Sequence, residues 1–355
     1  MLIIVAVVAT IMRDLLPFPC SQDLSSSFGL HHHSAWALHG LGSNSGYNDV
    51  MSSGKSAVYR RGKVSLPRVA ACVADIGDAF VSPPALREIM MDESVSTLLR
   101  RDAGGEKIVV ALAMDPFLRR RDKAYGWFLA DLWHKGLIEL SDNVCTEVGI
   151  FFVGRKDGRL RLIFDTRVAN QFFADPPYTE LGSGEALSNL ESQAAHPLAI
   201  AQGDVEVCFH QYLFIEWRRK FFGLPVIGGN WLPKTFRYKL GLHTDTAVRL
   251  RLNAVPLGWS GVFYSMQSIG MFRLRGIEPT CPFVIQHRPI ERLGSDGWVN
   301  VFYIDNFAAF SPNRSRAFDA VAFMQQAFTD ILVVLHIEET PDFGGDLVGF
   351  ALGFG

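Results

Sequence analysis

Two apolar runs, Val148–Val153 (VGIFFV) and Leu160–Phe164 (LRLIF), flank the tetrapeptide Arg155-Lys156-Asp157-Gly158, and no other feature constrains the chain as strongly. Asp-Gly supplies the backbone conformations that a tight reversal needs, so the segment predicts an antiparallel hairpin. Its tip carries Arg155, Lys156, Arg159 and Arg161 against Asp157 alone, a local charge of +3. The whole chain has 34 Lys and Arg against 36 Asp and Glu. A global basic field is therefore excluded, and any affinity for a polyanion must rest on a local patch.

Helical spacing of Phe128, Leu129, Leu132 and Trp133 precedes the hairpin, with Gly136 placed as a C-cap. After it, a strand is expected around Asp204, a helix over Trp259–Leu274, and a strand over Trp298–Ile304 that runs into Asp305, with Phe307–Phe310 beyond. Ser311 and Pro312 are placed to start a further helix. Segments 226–254 and 275–297 read as long loops. Residues 1 to about 100 show little periodicity; the triplet His31–His33 has no acidic or cysteine partner nearby and reads as a loop rather than a metal site.

The length of 355 residues predicts two or three domains. No apolar stretch reaches the length of a membrane span, so no membrane partner is expected. The run Leu2–Met12 has no basic residue before it, which favours a buried strand or a misplaced start over a signal peptide. Cys20, Cys72, Cys145, Cys208 and Cys281 are odd in number and scattered, which points to an intracellular, reducing compartment. Neither Cys208 nor the histidines His196, His210, His243 and His336 lie at a spacing that suits metal ligands, and core packing is the simpler reading of His210 and Cys208.

Asp204 follows one apolar run and Asp305 ends another, 101 positions later. Carboxylates at adjacent strand ends would suit hard divalent cations with positions left for phosphate. Taken singly, each is better explained as a turn former or helix cap.

In their order, four blocks resemble the reverse-transcriptase domain of retroelements. Phe151–Gln171 (FFVGRKDGRLRLIFDTRVANQ) is similar to its fingers hairpin, and Gly203–Gln211 (GDVEVCFHQ) to its first catalytic strand. Val255–Gln267 (VPLGWSGVFYSMQ) resembles the block that leads into the helix beneath the template, and Val301–Ser311 (VFYIDNFAAFS) the Y-x-D-D hairpin. The resemblance implies an α+β fold: a fingers-like part over 111–200, and a palm-like part over 201–355 with an antiparallel sheet backed by helices. Residues 1–110 receive no role, and the sequence is expected to end before a thumb or RNase H.

The resemblance further implies an RNA-directed DNA polymerase acting on an RNA or DNA template with its primer and on deoxynucleoside triphosphates. Asp204 and Asp305 would be catalytic, and with the Val205 carbonyl and Asn306 they would hold two Mg2+ ions, or Mn2+ in their place. Arg155, Lys156 and Arg161 would hold the triphosphate, Phe209 would crowd a ribose 2′-hydroxyl, and Gly258 would let backbone approach the nucleotide. Asp165 and Arg167 would brace the fingers. Asn306 stands where the family usually has a second Asp, which removes a negative charge. Two other readings follow: an inactive descendant that keeps the fold as a nucleic-acid or protein binding module, and an RNA-templated RNA polymerase, against which Phe209 and the basic hairpin argue.

Overall fold

The computed structural model describes residues 56–68, 74–91, 110–155, 157–182, 186–187, 190–191, 198–280, 282–290, 292–338, 346–347 and 350–351. Lys156, the run Leu2–Met12, the triplet His31–His33, Cys20, Cys72, Cys281 and His196 lie outside these residues. The fold is mixed α and β. Backbone contacts divide it into two compact units: one takes the described parts of His32–Pro177 with Val207–Val262, the other Tyr178–Glu206 with Phe263–Gly355. From sequence alone, boundaries are expected at about 110 and 200, whereas each of these units is assembled from two separated stretches of chain.

In the first unit the hairpin forms as its turn chemistry requires. Strands β1 (Gly149–Gly154) and β2 (Leu160–Asp165) pair antiparallel, and Gly158 takes φ +76 in the reversal. The edge of β1 is covered by Ser56–Ala57, a long-range pairing that the aperiodic sequence there does not announce. Helix α1 (Asp122–His134) buries Tyr125, Phe128, Leu129 and Leu132, and Gly136 follows it with φ +69. Phe128 stacks edge-on against Phe152 of β1 at 5.7 Å.

Residues 226–254 are not a loop. They hold the pair Ile227–Gly228 with Ala247–Val248, the strand Leu250–Leu252 against Ile138–Leu140, and helix α2 (Lys234–Lys239). Strands of two or three residues are too short to show a period, and long-range partners create them. Two buried arginines lock this region: Glu139 accepts from Arg219 at 2.9 Å and from Arg251 at 2.7 Å, and Glu216 pairs with both. Beside them Phe173, Phe214, Phe222 and Trp259 form an aromatic core.

The second unit is built on a four-stranded antiparallel sheet. Its strands are β3 (Ala199–Val205), β4 (Val299–Tyr303), β5 (Asn306–Ser311) and β6 (Leu335–Glu338), in the spatial order β4-β5-β3-β6. Helix α3 (Val262–Ile277) belongs to this unit from Phe263 onward. Helix α4 (Arg314–Thr329) packs on β3 and β5. It presents Ala317, Ala320, Val321, Met324, Ala327 and Phe328, a stripe at helical spacing, and Phe328 stacks on Phe302 of β4 at 6.0 Å. Its N-cap is Asn313, which accepts from the Ser315 amide, so the helix starts two residues later than Ser311-Pro312 implied. Ser311 instead finishes β5. Likewise α3 begins at Val262 rather than Trp259, because Pro256 to Gly261 form turns. Among the described residues no helix is long and apolar enough to cross a membrane.

Candidate active site

The sheet of the second unit places Asp204 near the end of β3 and Asp305 in the turn that joins β4 to the neighbouring strand β5. Asn306 is the cross-strand partner of Asp204, and the Val205 amide donates to the Asp305 carbonyl at 2.6 Å. Two segments 101 positions apart are thus held in one register at one end of the β3–β5 ladder. On the other side of β3, His336 of β6 is also a direct partner of Asp204, so Asn306, Asp204 and His336 form a row across the sheet. His336 Nδ1 lies 3.2 Å from Asp204 Oδ1, and the Asp204 side chain is 43 % exposed. The sequence reading gave His336 no role. Its place depends on the pairing of β3 with β6, which residue spacing alone does not reveal.

Asp305 occupies the second position of a two-residue turn between Tyr303 and Asn306. The first position, Ile304, has φ +62. A hairpin of this kind normally puts glycine there, and a β-branched residue in that region is strained. Such strain persists only where surrounding structure over-determines the backbone. Gln267 of α3 does so. Its Oε1 accepts from the Ile304 amide at 2.9 Å, and its Nε2 donates to the carbonyls of Phe302 and Glu180 at 3.0 Å each. Gly270 allows the close approach, since a Cβ there would fall 2.0 Å from the Phe302 ring. Gln267 closed the third block of the sequence comparison, but nothing in the sequence marked it as the clamp on the Asp305 turn.

Asn306 Nδ2 donates to Asp305 Oδ1 at 2.7 Å. The residue that replaces a second carboxylate therefore turns its amide nitrogen toward the first. Tyr303, at the other end of the turn, has its hydroxyl pKa pushed up to about 12, chiefly by burial and further by the Asp305 charge. Asp204, Asp305 and the Val205 carbonyl offer hard oxygen donors, and by donor chemistry they fit a divalent cation such as Mg2+. Among the described residues no group of three or more His, Cys, Asp or Glu is arranged to hold a metal ion.

The other sequence-derived residues lie in the first unit. Arg155 and Arg161 sit on the β1–β2 hairpin. Arg155 is exposed, 3.4 Å from Asp157, and Asp157 also pairs with Arg159 at 2.7 Å. Hydrogen bonds from the Arg159 backbone and side chain hold the Asp157 carboxyl below its usual pKa. Phe209 is half-buried in the turn Cys208–Gln211. Gly258, at φ +125, is fitted against β2: a Cβ there would lie 2.4 Å from the Phe164 carbonyl, and its own carbonyl accepts from Thr166 and Asn170. That fit alone explains the glycine. Asp165 is fully buried and takes a bidentate pair from Arg167 (2.9 and 2.8 Å) and the Ala113 amide (2.7 Å), which is a bracing role. His210 is buried against Phe164, its pKa lowered to about 4 by burial, and Cys208 is a buried thiol outside any disulfide.

The chain matches no protein-family model and no curated protein sequence.

Proposed function

We propose that the chain is the RNA-directed DNA polymerase domain of a mobile element, adding deoxynucleotides to a primer 3′-hydroxyl. One observation carries the reading: Asp204 near the end of β3 and Asp305 in the β4–β5 turn, far apart in sequence, share one end of an antiparallel sheet, in the β3–β5 register that pairs Asn306 with Asp204. Asp204, Asp305 and the Val205 carbonyl would hold two Mg2+ ions, or Mn2+. When bound, such ions supply Lewis acidity and charge neutralisation for in-line phosphoryl transfer.

In this reading the chain's own residues position the reactants. The Gln267 clamp keeps the Asp305 turn in one conformation before substrate arrives. Arg155 and Arg161, with Lys156, neutralise the triphosphate, and guanidinium groups suit phosphate by their bidentate geometry. By the same resemblance, the Phe209 ring would select against a ribose 2′-hydroxyl.

A second reading is favoured by a specific contact. The Asn306 amide occupies Asp305 Oδ1, and His336 stands on Asp204 Oδ1. Both contacts fall on oxygens that a cation would need, which suits an inactive descendant that keeps the fold as a binding module. Primer extension on an RNA template with Mg2+ and deoxynucleotides separates the two. The polymerase reading expects product from the wild type and none from Asp305→Ala. Folded wild-type protein that yields no product supports the binding module, and equal product from Asp305→Ala removes the metal role.

A further inference from the structure

The segment Pro225–Thr244 contains no Asp or Glu, and it carries Lys234, Arg237 and Lys239. It also shows three large apolar side chains to solvent: Val226 (41 % exposed), Trp231 (43 %) and Tyr238 (69 %). Helix α2, which carries Tyr238, is anchored on its inner side. Phe236 is buried and meets Trp133 at 5.7 Å, while Arg237 donates to the Gly229 carbonyl at 3.4 Å. Trp231 leans on bare backbone: a Cβ at Gly228 would sit 3.4 Å from its indole Cδ1. Lys234 and Arg237 flank the Tyr238 ring at 5.7 and 6.0 Å.

Exposed indole and phenol rings gain little from the fold, and three cations within one segment that carries no Asp or Glu repel one another. A ligand that resolves both has flat π faces joined by a negatively charged backbone. We infer that the surface formed by Trp231, Tyr238, Lys234 and Lys239 binds single-stranded nucleic acid, the bases stacking on the rings and the phosphates meeting the amines. An anionic membrane is the poorer fit. Surface-seeking helices lay an apolar face into lipid, whereas α2 turns its Phe236 inward and has only six residues. The inference is independent of Asp204 and Asp305: primer extension reads the carboxylates and strand affinity reads this patch, so either can fail alone.

Fluorescence anisotropy with labelled single strands of about 15 nucleotides, RNA and DNA in separate arms, tests it on the full chain. Wild type should bind single strands more tightly than a duplex of the same sequence, with quenching of tryptophan emission. W231A/Y238A should weaken binding about ten-fold or more, and W231F/Y238F, which keeps both ring faces, should restore most of it. K234A/K239A should flatten the slope of log affinity against log salt by about 1.4, from about 0.7 per phosphate contact. Should W231A/Y238A fail to fold, K234A/K239A, which removes only exposed amines, decides on the salt slope. No binding by wild type, equal affinity for duplex, unchanged affinity in W231A/Y238A, an unchanged slope in K234A/K239A, or preference for phosphatidylserine vesicles would each overturn the proposal.

Discussion

Asp165 and Asp204 each stand at the end of a strand, each near a side-chain nitrogen, and they differ in their surroundings. Asp165 is fully buried, and its carboxylate receives the Arg167 guanidinium, itself 17 % exposed, together with the Ala113 amide. Asp204 is 43 % exposed and meets an imidazole at 3.2 Å. A carboxylate enclosed by charge-assisted bonds is a structural brace, because breaking it strands a buried cation. A half-exposed carboxylate has room for an exchangeable ligand. Residue type and strand-end position are shared; solvent access separates brace from candidate catalyst.

The largest effect should come from breaking the brace. Asp165→Ala should cost about 3–5 kcal/mol in urea unfolding, since Arg167 and the Ala113 amide lose their partner. A change below about 1 kcal/mol would place Asp165 with the exposed acids and erase the contrast.

Acid provides the next test. His210 is buried near Phe164 with its pKa lowered to about 4 from 6.5. Below pH 6.5 the unfolded chain takes up a proton that the folded chain refuses, so stability falls as pH drops from about 6.5 to 4, by about 3 kcal/mol in all. His210→Leu should remove that part of the decline. An identical pH profile would show that His210 is not what titrates.

Gln267→Leu should cost about 1–3 kcal/mol, because it strips the Ile304 amide and the Phe302 carbonyl of their buried partner. It should also lower primer extension more than stability alone explains. An extension rate equal to wild type would make the clamp structural only. The smallest effect sharpens the contrast from the other side: Asp204→Asn should change unfolding free energy by no more than about 0.5 kcal/mol. A loss as large as that of Asp165→Ala would show that Asp204 also braces the fold.

How much of this was legible depends on how local each cause is. The β1–β2 hairpin was readable because Asp157-Gly158 and the flanking apolar runs act within a few residues. Helix α1, with its Gly136 stop, and strand β4 were readable for the same reason. The elements in 226–254 were not, since two-residue strands such as Ile227–Gly228 exist only through partners elsewhere in the chain. Within the site, Asp204 and Asp305 were visible from context. His336 and Gln267 were not, because the first enters by sheet register and the second by the approach of α3 at Gly270. The N-cap Asn313 was missed because Ser311 and Pro312 offered a plausible earlier start, yet Ser311 was taken by β5.

Direct titration of Mn2+, followed by its electron paramagnetic resonance, tests the acidic pair itself. On the present account, folded wild-type protein takes up Mn2+ at a site that Asp204→Asn/Asp305→Asn lacks, and Mg2+ displaces it. Equal Mn2+ uptake by the wild type and a folded double variant would contradict the account.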